Sequence, residues 1–139
     1  MDADELNGFL ERAFPEVAGR FVVEAVAADS LLLRLKVGAG NLRPGGTVSG
    51  ATIFELADMA VYLAILARIG AKALTVTTSA SIDYLRKPPG EADLLGEARL
   101  LKLGQRLAVG DVLIRSDAGP DIIARASLTF SIPPRGAPR

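Results

Sequence analysis

The chain contains neither cysteine nor histidine among its 139 residues. Without cysteine, disulfides, thiol nucleophiles and thiolate metal sites are excluded. Without histidine, Ser-His-Asp triads, imidazole bases and His-ligated zinc are excluded as well. Any catalysis must therefore come from carboxylates, hydroxyls, lysine, arginine or oriented backbone groups.

The chain also lacks net charge, since 16 Lys and Arg residues balance 16 Asp and Glu residues. A neutral chain has no broad attraction for nucleic acid, so we expect no such partner and expect any anionic ligand to be held by a local patch. No uncharged apolar run reaches the roughly 18 residues of a membrane span. The acidic start, residues 1–5, lacks the basic region of a secretion signal. We therefore expect no membrane partner and a cytoplasmic location.

Length and composition are typical of one globular domain. Hydrophobic residues make up 50% of the chain and charged residues 23%, which is the balance of a folded and not a disordered protein. We assign residues 1–132 to a single domain. The proline- and glycine-containing segment 133–139 is predicted to be a flexible C-terminal tail.

Hydrophobic periodicity predicts two helices and six strands. A helical period covers residues 3–13, and a nearly all-apolar helix runs to about residue 69, with Ser49 or Gly50 as its N-cap and Gly70 at its end. Alternation of apolar and polar residues predicts strands at 20–28, 31–37, 74–84, 92–103, 106–116 and 122–132. A helix that is apolar on all sides must be enclosed, so we expect the six strands to wrap around it and a second subunit to cover the sheet edges.

Two carboxylates, Glu55 and Asp58, are the only charges between Ala51 and Ala67. A buried charge costs several kcal/mol unless it is paired or neutralised, so we expect an acid in this apolar helix to have a specific partner or a function. Glu55 fits the ordinary role of an acid near a helix N-terminus. Asp58 lies further in, and we predict that it is a catalytic carboxylate. The alternative is a structural role, as hydrogen-bond partner of Tyr62 one turn on.

The element order and several short motifs resemble the hotdog-fold acyl-CoA thioesterases of the phenylacetate-degradation type. That family has a Gly-x-x-His-Gly-Gly segment before a helical acid, and residues 46–51 followed by 56–58 keep this spacing. Residues 83–86, 103–106 and the closing strand also resemble the family. The resemblance implies an α+β hotdog fold: an antiparallel six-stranded sheet wrapped around a long central helix, with a short N-terminal helix. It also implies an enzyme that hydrolyses a small acyl- or aryl-coenzyme A, without metal or cofactor, coenzyme A being part of the substrate.

Roles for individual residues follow from the same resemblance. Asp58 stands where the family has its general base or nucleophile, and Gly50 where a backbone N–H polarises the thioester carbonyl. Thr77 stands where the family has a hydroxyl that orients the attacking water. The alternative is that Thr77 has no functional role and lies, with Thr75, Ser79 and Ser81, on the solvent-exposed face of a strand. Because hotdog thioesterases form their sites between subunits, a homodimer or homotetramer is implied, with Asp58 and Gly50 contributed by different chains.

Three positions depart from the family pattern. Ser49 replaces the family histidine, Ala51 replaces its second glycine, and Arg43 stands near the place of a loop asparagine. Ser49, which can cap the helix and donate a hydrogen bond but cannot be a cation, is kept among the candidate catalytic residues. The candidate substrate-binding residues are Arg43, Gly46, Ala51, Arg86, Lys87 and Arg106, with solvated surface charges as the alternative for the basic ones. The missing histidine favours a second hypothesis, a non-catalytic module that binds acyl-CoA or a fatty acyl group; a purely structural oligomer is a third.

Overall fold

Residues 1–134 are described by a computed structural model of the chain, and their element order matches the prediction. The two helices are α1 (Ala3–Ala13) and α2 (Gly50–Ile69). The strands are β1 (Phe21–Val26), β2 (Ser30–Leu35), β3 (Val76–Tyr84), β4 (Leu94–Leu103), β5 (Leu107–Ser116) and β6 (Ile122–Ser131). Of the predicted tail, residues 135–139 lie outside the described part of the chain, so its flexibility stays a prediction.

The six strands form one antiparallel sheet in the order β1-β2-β4-β5-β6-β3. The sheet wraps around α2, which confirms the α+β hotdog architecture. Close approach of sheet and helix depends on strand glycines: a Cβ atom added to Gly110 would lie 2.9 Å from Cγ1 of Val61, and one added to Gly96 would lie 3.2 Å from Cγ of Leu56.

Helix α2 begins and ends at the predicted residues. Ser49 is the N-cap, with its side chain accepting a hydrogen bond from the Thr52 N–H at 3.2 Å, and Gly70 follows the helix with φ of +92°. By length and composition alone α2 could cross a membrane. In this fold it is the central core helix, with Leu56, Leu63 and Leu66 fully buried.

Helix α1 covers one end of the core. Its apolar face buries Leu6, Phe9 and Leu10, as predicted, and its first turn is closed by a capping box between Asp2 and Glu5. The Phe14 ring, just beyond α1, packs edge-on against the Tyr62 ring of α2 with 5.7 Å between centroids. The N-terminal helix thereby supplies part of a wall around the central helix.

Strand β3 is an edge strand with only one hydrogen-bonded neighbour, β6, within residues 1–134. Apolar side chains along it and next to it, including Val76, Tyr84 and Leu85, are about half exposed. A bulge between Thr77 and Ser79 shifts the register. An unpaired edge with apolar flanks is a template for pairing with another strand.

Candidate active site

Asp58 is half-buried in the middle of α2 and borders a cavity of about 290 Å³. Oγ1 of Thr77, near the start of β3, donates a hydrogen bond to Oδ1 of Asp58. None of the ion pairs among residues 1–134 includes Asp58. The sequence-predicted pair Asp58 and Thr77 is therefore in contact, and the carboxylate has open space beside it.

The surroundings of Asp58 raise its pKa above the ordinary value of 3.8. Burial is the largest cause, since it penalises the charged form, and the negative charge of Glu55 adds to it. The Thr77 hydrogen bond opposes both, because it stabilises the ionised carboxylate and lowers the pKa. An aspartate held in this way is more basic than one in water, which suits a group that takes a proton from water.

Glu55 is placed differently, although it lies only one turn away. Nη1 and Nη2 of Arg20 donate to its two carboxylate oxygens at 3.0 and 3.2 Å, which is a bidentate ion pair. The pair sits beside a separate cavity of about 760 Å³. Glu55 is thus neutralised by a specific partner, whereas Asp58 is held by a hydroxyl.

The structural alternative for Asp58, a hydrogen bond with Tyr62, is wrong. The Tyr62 hydroxyl donates instead to the Ala73 carbonyl oxygen at 3.2 Å. Burial raises the pKa of Tyr62 to about 12, so this phenol is neutral at physiological pH. Its ring joins those of Phe14 and Phe130 and the side chain of Met59 in lining the cavity next to Asp58.

These cavity-lining residues were missed by the sequence-based prediction. Tyr62 was considered only as a hydrogen-bond partner, although its position one turn after Asp58 places it on the same helix face. Phe14 and Phe130 come from distant parts of the chain, and no local pattern connects them to Asp58.

Thr75 also lines this cavity and is 3% exposed, so the alternative of a solvated strand face is wrong for it. The solvated-face alternative is also wrong for Thr77, because its hydroxyl donates a hydrogen bond to Asp58. The same alternative fits Ser79 and Ser81, which are exposed.

The start of α2 forms a second cluster. Gly45 and Gly46 adopt φ of +100° and +81°, a left-handed conformation that favours glycine and turns the chain towards the helix. The backbone N–H groups of Gly50 and Ala51 make no hydrogen bond within residues 1–134. Both residues line a cleft of about 650 Å³. Free N–H groups at a helix N-terminus carry partial positive charge and suit an anion or a developing oxyanion.

Three of the predicted substrate-binding cations lie on this cleft. Arg43, Arg86 and Lys87 line it together with Tyr84, whose hydroxyl donates to the Gly50 carbonyl oxygen at 3.0 Å. The cleft is therefore electropositive at its rim and has helix N–H groups in its wall. Such a combination suits phosphate groups.

The remaining predicted residues are placed as follows. The Ser49 hydroxyl is engaged in the helix cap, where it donates to Oγ1 of Thr52 at 2.9 Å, so its catalytic role stays a prediction. Gly46 forms the turn before the cleft. Arg106 follows the turn between β4 and β5, and its carbonyl oxygen accepts a hydrogen bond from the Ile132 N–H, near the β3 end that carries Thr77. It is thus separated from the cluster of Arg43, Arg86 and Lys87.

Within one chain the two clusters, hereafter the candidate half-sites, are separate from each other. Asp58 follows Gly50 by eight positions along α2, which corresponds to about 12 Å at a rise of ~1.5 Å per residue. Along β3, Thr77 lies near one end and Tyr84 at the other. A single thioester carbonyl cannot contact the Gly50 N–H and the Asp58 carboxylate of the same chain. Neither half-site resembles a metal centre, because residues 1–134 contain no group of acidic side chains that could hold a metal ion.

A family model of the thioesterase superfamily matches residues 45–123, which include Gly50, Asp58 and Thr77. The chain belongs to this superfamily. The match agrees with the resemblance inferred from the motifs around Gly50 and Asp58, and it supports thioester hydrolysis as the activity. No curated protein sequence matches the chain.

Solved structures of thioesterases support the same assignment. A provisionally assigned thioesterase from Silicibacter sp. TM1040 is 51% identical, with a TM-score of 0.90 over 96% of this chain and 93% of that one. A mutant of the phenylacetic acid degradation protein PaaI from Thermus thermophilus is 25% identical, with a TM-score of 0.73 over 86% and 99% of the two chains. A hypothetical thioesterase from Streptococcus pneumoniae TIGR4, solved with coenzyme A, shares the fold at 23% identity and a TM-score of 0.70 over 81% and 87% of the chains.

Proposed function

We propose that this thioesterase hydrolyses a small acyl- or aryl-coenzyme A. The observation that carries the proposal is Asp58, a half-buried carboxylate without an ion-pair partner in residues 1–134 that borders a compact, largely apolar cavity. Coenzyme A as the thiol component is supported by the electropositive cleft of Arg43, Arg86 and Lys87, and by the coenzyme A complex of the Streptococcus pneumoniae protein with the same fold. Coenzyme A enters as substrate, and we propose that the reaction takes place in the cytoplasm.

As general base, Asp58 takes a proton from a water molecule that attacks the thioester carbonyl carbon; the C–S bond then breaks, and the proton passes to the leaving coenzyme A thiolate, which gives the carboxylic acid and the free thiol. As nucleophile, Asp58 attacks the carbon directly, the C–S bond breaks with release of the coenzyme A thiolate, and water hydrolyses the resulting acyl-enzyme anhydride and so restores the carboxylate. Thr77 orients the carboxylate through its hydrogen bond. The Gly50 N–H, at the positive end of α2, stabilises the oxyanion, a contribution worth roughly 3 kcal/mol per donor in other enzymes.

The complete site would require two chains, because Gly50 and Asp58 of one chain are too far apart. If two β3 edges pair antiparallel about the middle of the strand, Thr77 of one chain comes opposite the Asp83–Tyr84 end of the other. Tyr84 is bonded to Gly50, so the second chain's copy of Gly50 would be brought towards Asp58. Pairing would also cover the exposed apolar flanks of β3. We therefore propose a homodimer with two composite sites, which can assemble further into a tetramer.

Hydrolysis is tested by measuring thiol release from short-chain, long-chain and aromatic acyl-CoA esters, with binding measured in parallel. We expect release with at least the compact esters. Saturable binding without release would instead select the acyl-CoA binding module, a hypothesis favoured by Ser49, whose hydroxyl caps the helix where the family has a histidine. If the protein shows no binding and no thiol release with any of these esters, the proposal is refuted and a structural role remains.

The composite site is tested by changing the two half-sites separately. Gly50→Pro removes the N–H, and the Cβ atom that it adds would lie 3.4 Å from Cζ of Tyr84. Position 50 is the first residue of α2, where proline is tolerated, and Ser49 already has the extended φ and ψ of −67° and 150° that a following proline requires. Gly50→Ala, which keeps the N–H, is the matched control. We expect kcat to fall about 100- to 1,000-fold for proline and little for alanine.

Co-expression of the two variant chains then distinguishes a site shared between subunits from a site within a single chain. If each site takes Gly50 from one chain and Asp58 from the other, a heterodimer of a Gly50→Pro chain and an Asp58→Asn chain has one intact site and one site with both changes. Random pairing makes about half of the dimers heterodimers, so about a quarter of all sites are intact. We expect activity to recover to about that fraction of the wild-type value. If the purified heterodimer is as inactive as each parent, the site does not combine these two residues across chains.

A further inference from the structure

Strand β3 makes two side-chain hydrogen bonds to helix α2 within residues 1–134, and they lie at opposite ends of the strand. Near the start of β3, Oγ1 of Thr77 donates to Oδ1 of Asp58. At its last residue, the Tyr84 hydroxyl donates to the Gly50 carbonyl oxygen at 3.0 Å. Each bond therefore ends on a residue to which the proposed mechanism gives a role, the carboxylate in one case and the oxyanion donor in the other.

Gly50 needs support from its neighbours, because glycine has no side chain that restricts its φ and ψ. The Ser49 carbonyl oxygen accepts a hydrogen bond from the Ile53 N–H at 3.2 Å, which holds the peptide group that carries the Gly50 N–H. The Tyr84 hydroxyl holds the carbonyl group on the other side of the Gly50 Cα atom. The Tyr84 ring lies close as well, since a Cβ atom added to Gly50 would be 3.4 Å from its Cζ. The glycine is thus held on both sides.

Tyr84 is itself anchored in the sheet. It pairs with Ala124 in the ladder between β3 and β6. Directly after it, the Leu85 and Arg86 N–H groups both donate to the Ile123 carbonyl oxygen, at 2.8 and 3.1 Å. The Tyr84 side chain is 51% exposed in the single chain, and it lies on the β3 edge that the proposed dimer covers. A covering chain would exclude water that competes for the Tyr84 hydroxyl, and a hydrogen bond is stronger in such surroundings.

Resting on the proposed thioesterase function, we propose that Tyr84 is a positioning residue for the Gly50 N–H. The Tyr84 hydroxyl does not touch the reacting atoms in this role. It fixes the conformation of Gly50, so that the N–H meets the developing oxyanion without first having to be oriented. A preorganised donor needs no reorganisation at the moment of reaction. A loosened donor therefore lowers kcat and leaves substrate affinity almost unchanged.

The variant Tyr84→Phe tests this role, because it removes the hydroxyl and keeps the ring. We expect kcat to fall about 3- to 10-fold, the effect of one hydrogen bond, with KM and Tm near their wild-type values. Thr78→Val is the matched control. It removes another β3 hydroxyl that donates to a backbone carbonyl oxygen, that of Thr129 in β6 at 3.3 Å, and its kcat should not change. Wild-type kcat in Tyr84→Phe, a loss confined to KM, or an equal loss in both variants overturns the proposal.

A double-mutant cycle shows whether Tyr84 acts through the Gly50 N–H. Gly50→Pro has no N–H to position, so Tyr84→Phe should cause no further loss of kcat in that background. In the Gly50→Ala background, which keeps the N–H, the loss should persist. If Tyr84→Phe lowers kcat by the same factor in the proline background as in the wild type, Tyr84 acts on the substrate or on another group, and the proposal is wrong.

Amide dynamics supply a readout that does not depend on hydrolysis. In an NMR relaxation measurement on isotope-labelled glycine, the Gly50 N–H of the wild type should have the order parameter of a rigid backbone, about 0.85. We expect this value to fall in Tyr84→Phe and to stay unchanged at Gly96 and Gly110, which pack against α2 from β4 and β5. If the wild type releases no thiol but Gly50 loosens in the variant, only the proposed hydrolysis fails. A Gly50 that is equally rigid in both proteins overturns the positioning role, whatever the activity.

Discussion

Replacing Asp58 with asparagine should abolish most of the hydrolysis while leaving the fold intact. Asparagine has the same shape, and its side-chain oxygen can still accept the hydrogen bond from Thr77 that the carboxylate accepts. It can neither take a proton nor attack the thioester. Positioned acid–base groups contribute about 100- to 10,000-fold to rates, and we expect kcat to fall by that factor.

The same substitution should not lower the free energy of unfolding near neutral pH. Because burial raises the Asp58 pKa in the folded chain, the wild-type protein loses stability as the pH rises from the unfolded-state pKa through the folded-state pKa. The loss is about 1.4 kcal/mol for each unit of difference between the two pKa values. Asparagine does not ionise, so we expect the variant to match the wild type at acid pH and to be at least as stable at neutral pH.

The assay combines thiol release with denaturant unfolding from neutral pH down to about pH 4. Glu55→Gln is the matched control, since it removes a carboxylate one turn away that is paired with Arg20; its kcat should stay near the wild-type value. Wild-type turnover in Asp58→Asn would refute the catalytic assignment. A variant that is clearly less stable at neutral pH than at acid pH, relative to the wild type, would show that the ionised Asp58 is a structural group.

Two further changes test the surroundings of the site. Thr77→Val removes the hydrogen bond that lowers the Asp58 pKa, so the acid limb of the pH profile of kcat/KM should move to higher pH; a limb that stays or moves down would contradict this account. Gly110→Ala places a methyl group 2.9 Å from Cγ1 of Val61 and should lower the unfolding free energy by about 1–3 kcal/mol. Gly119→Ala, with no atom within 4 Å of its added Cβ, is the control, and equal stability of the two variants would refute the packing argument.

The sequence alone determined the elements of the fold. Helix α2 was bounded correctly at Ser49 and Gly70 because an N-cap side chain and a C-terminal glycine act on their immediate neighbours. The six strands followed from period-two alternation, with errors of a few residues at their ends. The enclosure of α2 also followed, since a helix that is apolar on all sides has no face for solvent.

The choice of Asp58 as a candidate catalytic residue also rested on local features of the sequence. A lone acid in an apolar helix stands out in composition, and the spacing to Gly50 is a property of the chain. The resemblance to the thioesterases depended on such local spacings, and the superfamily match over residues 45–123 agrees with it.

Only the tertiary structure decided which groups meet. Thr77 contacts Asp58 across 19 positions of sequence, and Glu55 pairs with Arg20 across 35. The separation of the Gly50 and Asp58 half-sites, and the burial of the Thr75 side chain, likewise required coordinates. Periodicity indicates which face of an element is apolar. It does not indicate which distant side chains meet, because that depends on how the strands and the helix pack. A β-bulge such as the one after Thr77 also changes the direction of a side chain, and the local sequence pattern does not reveal it.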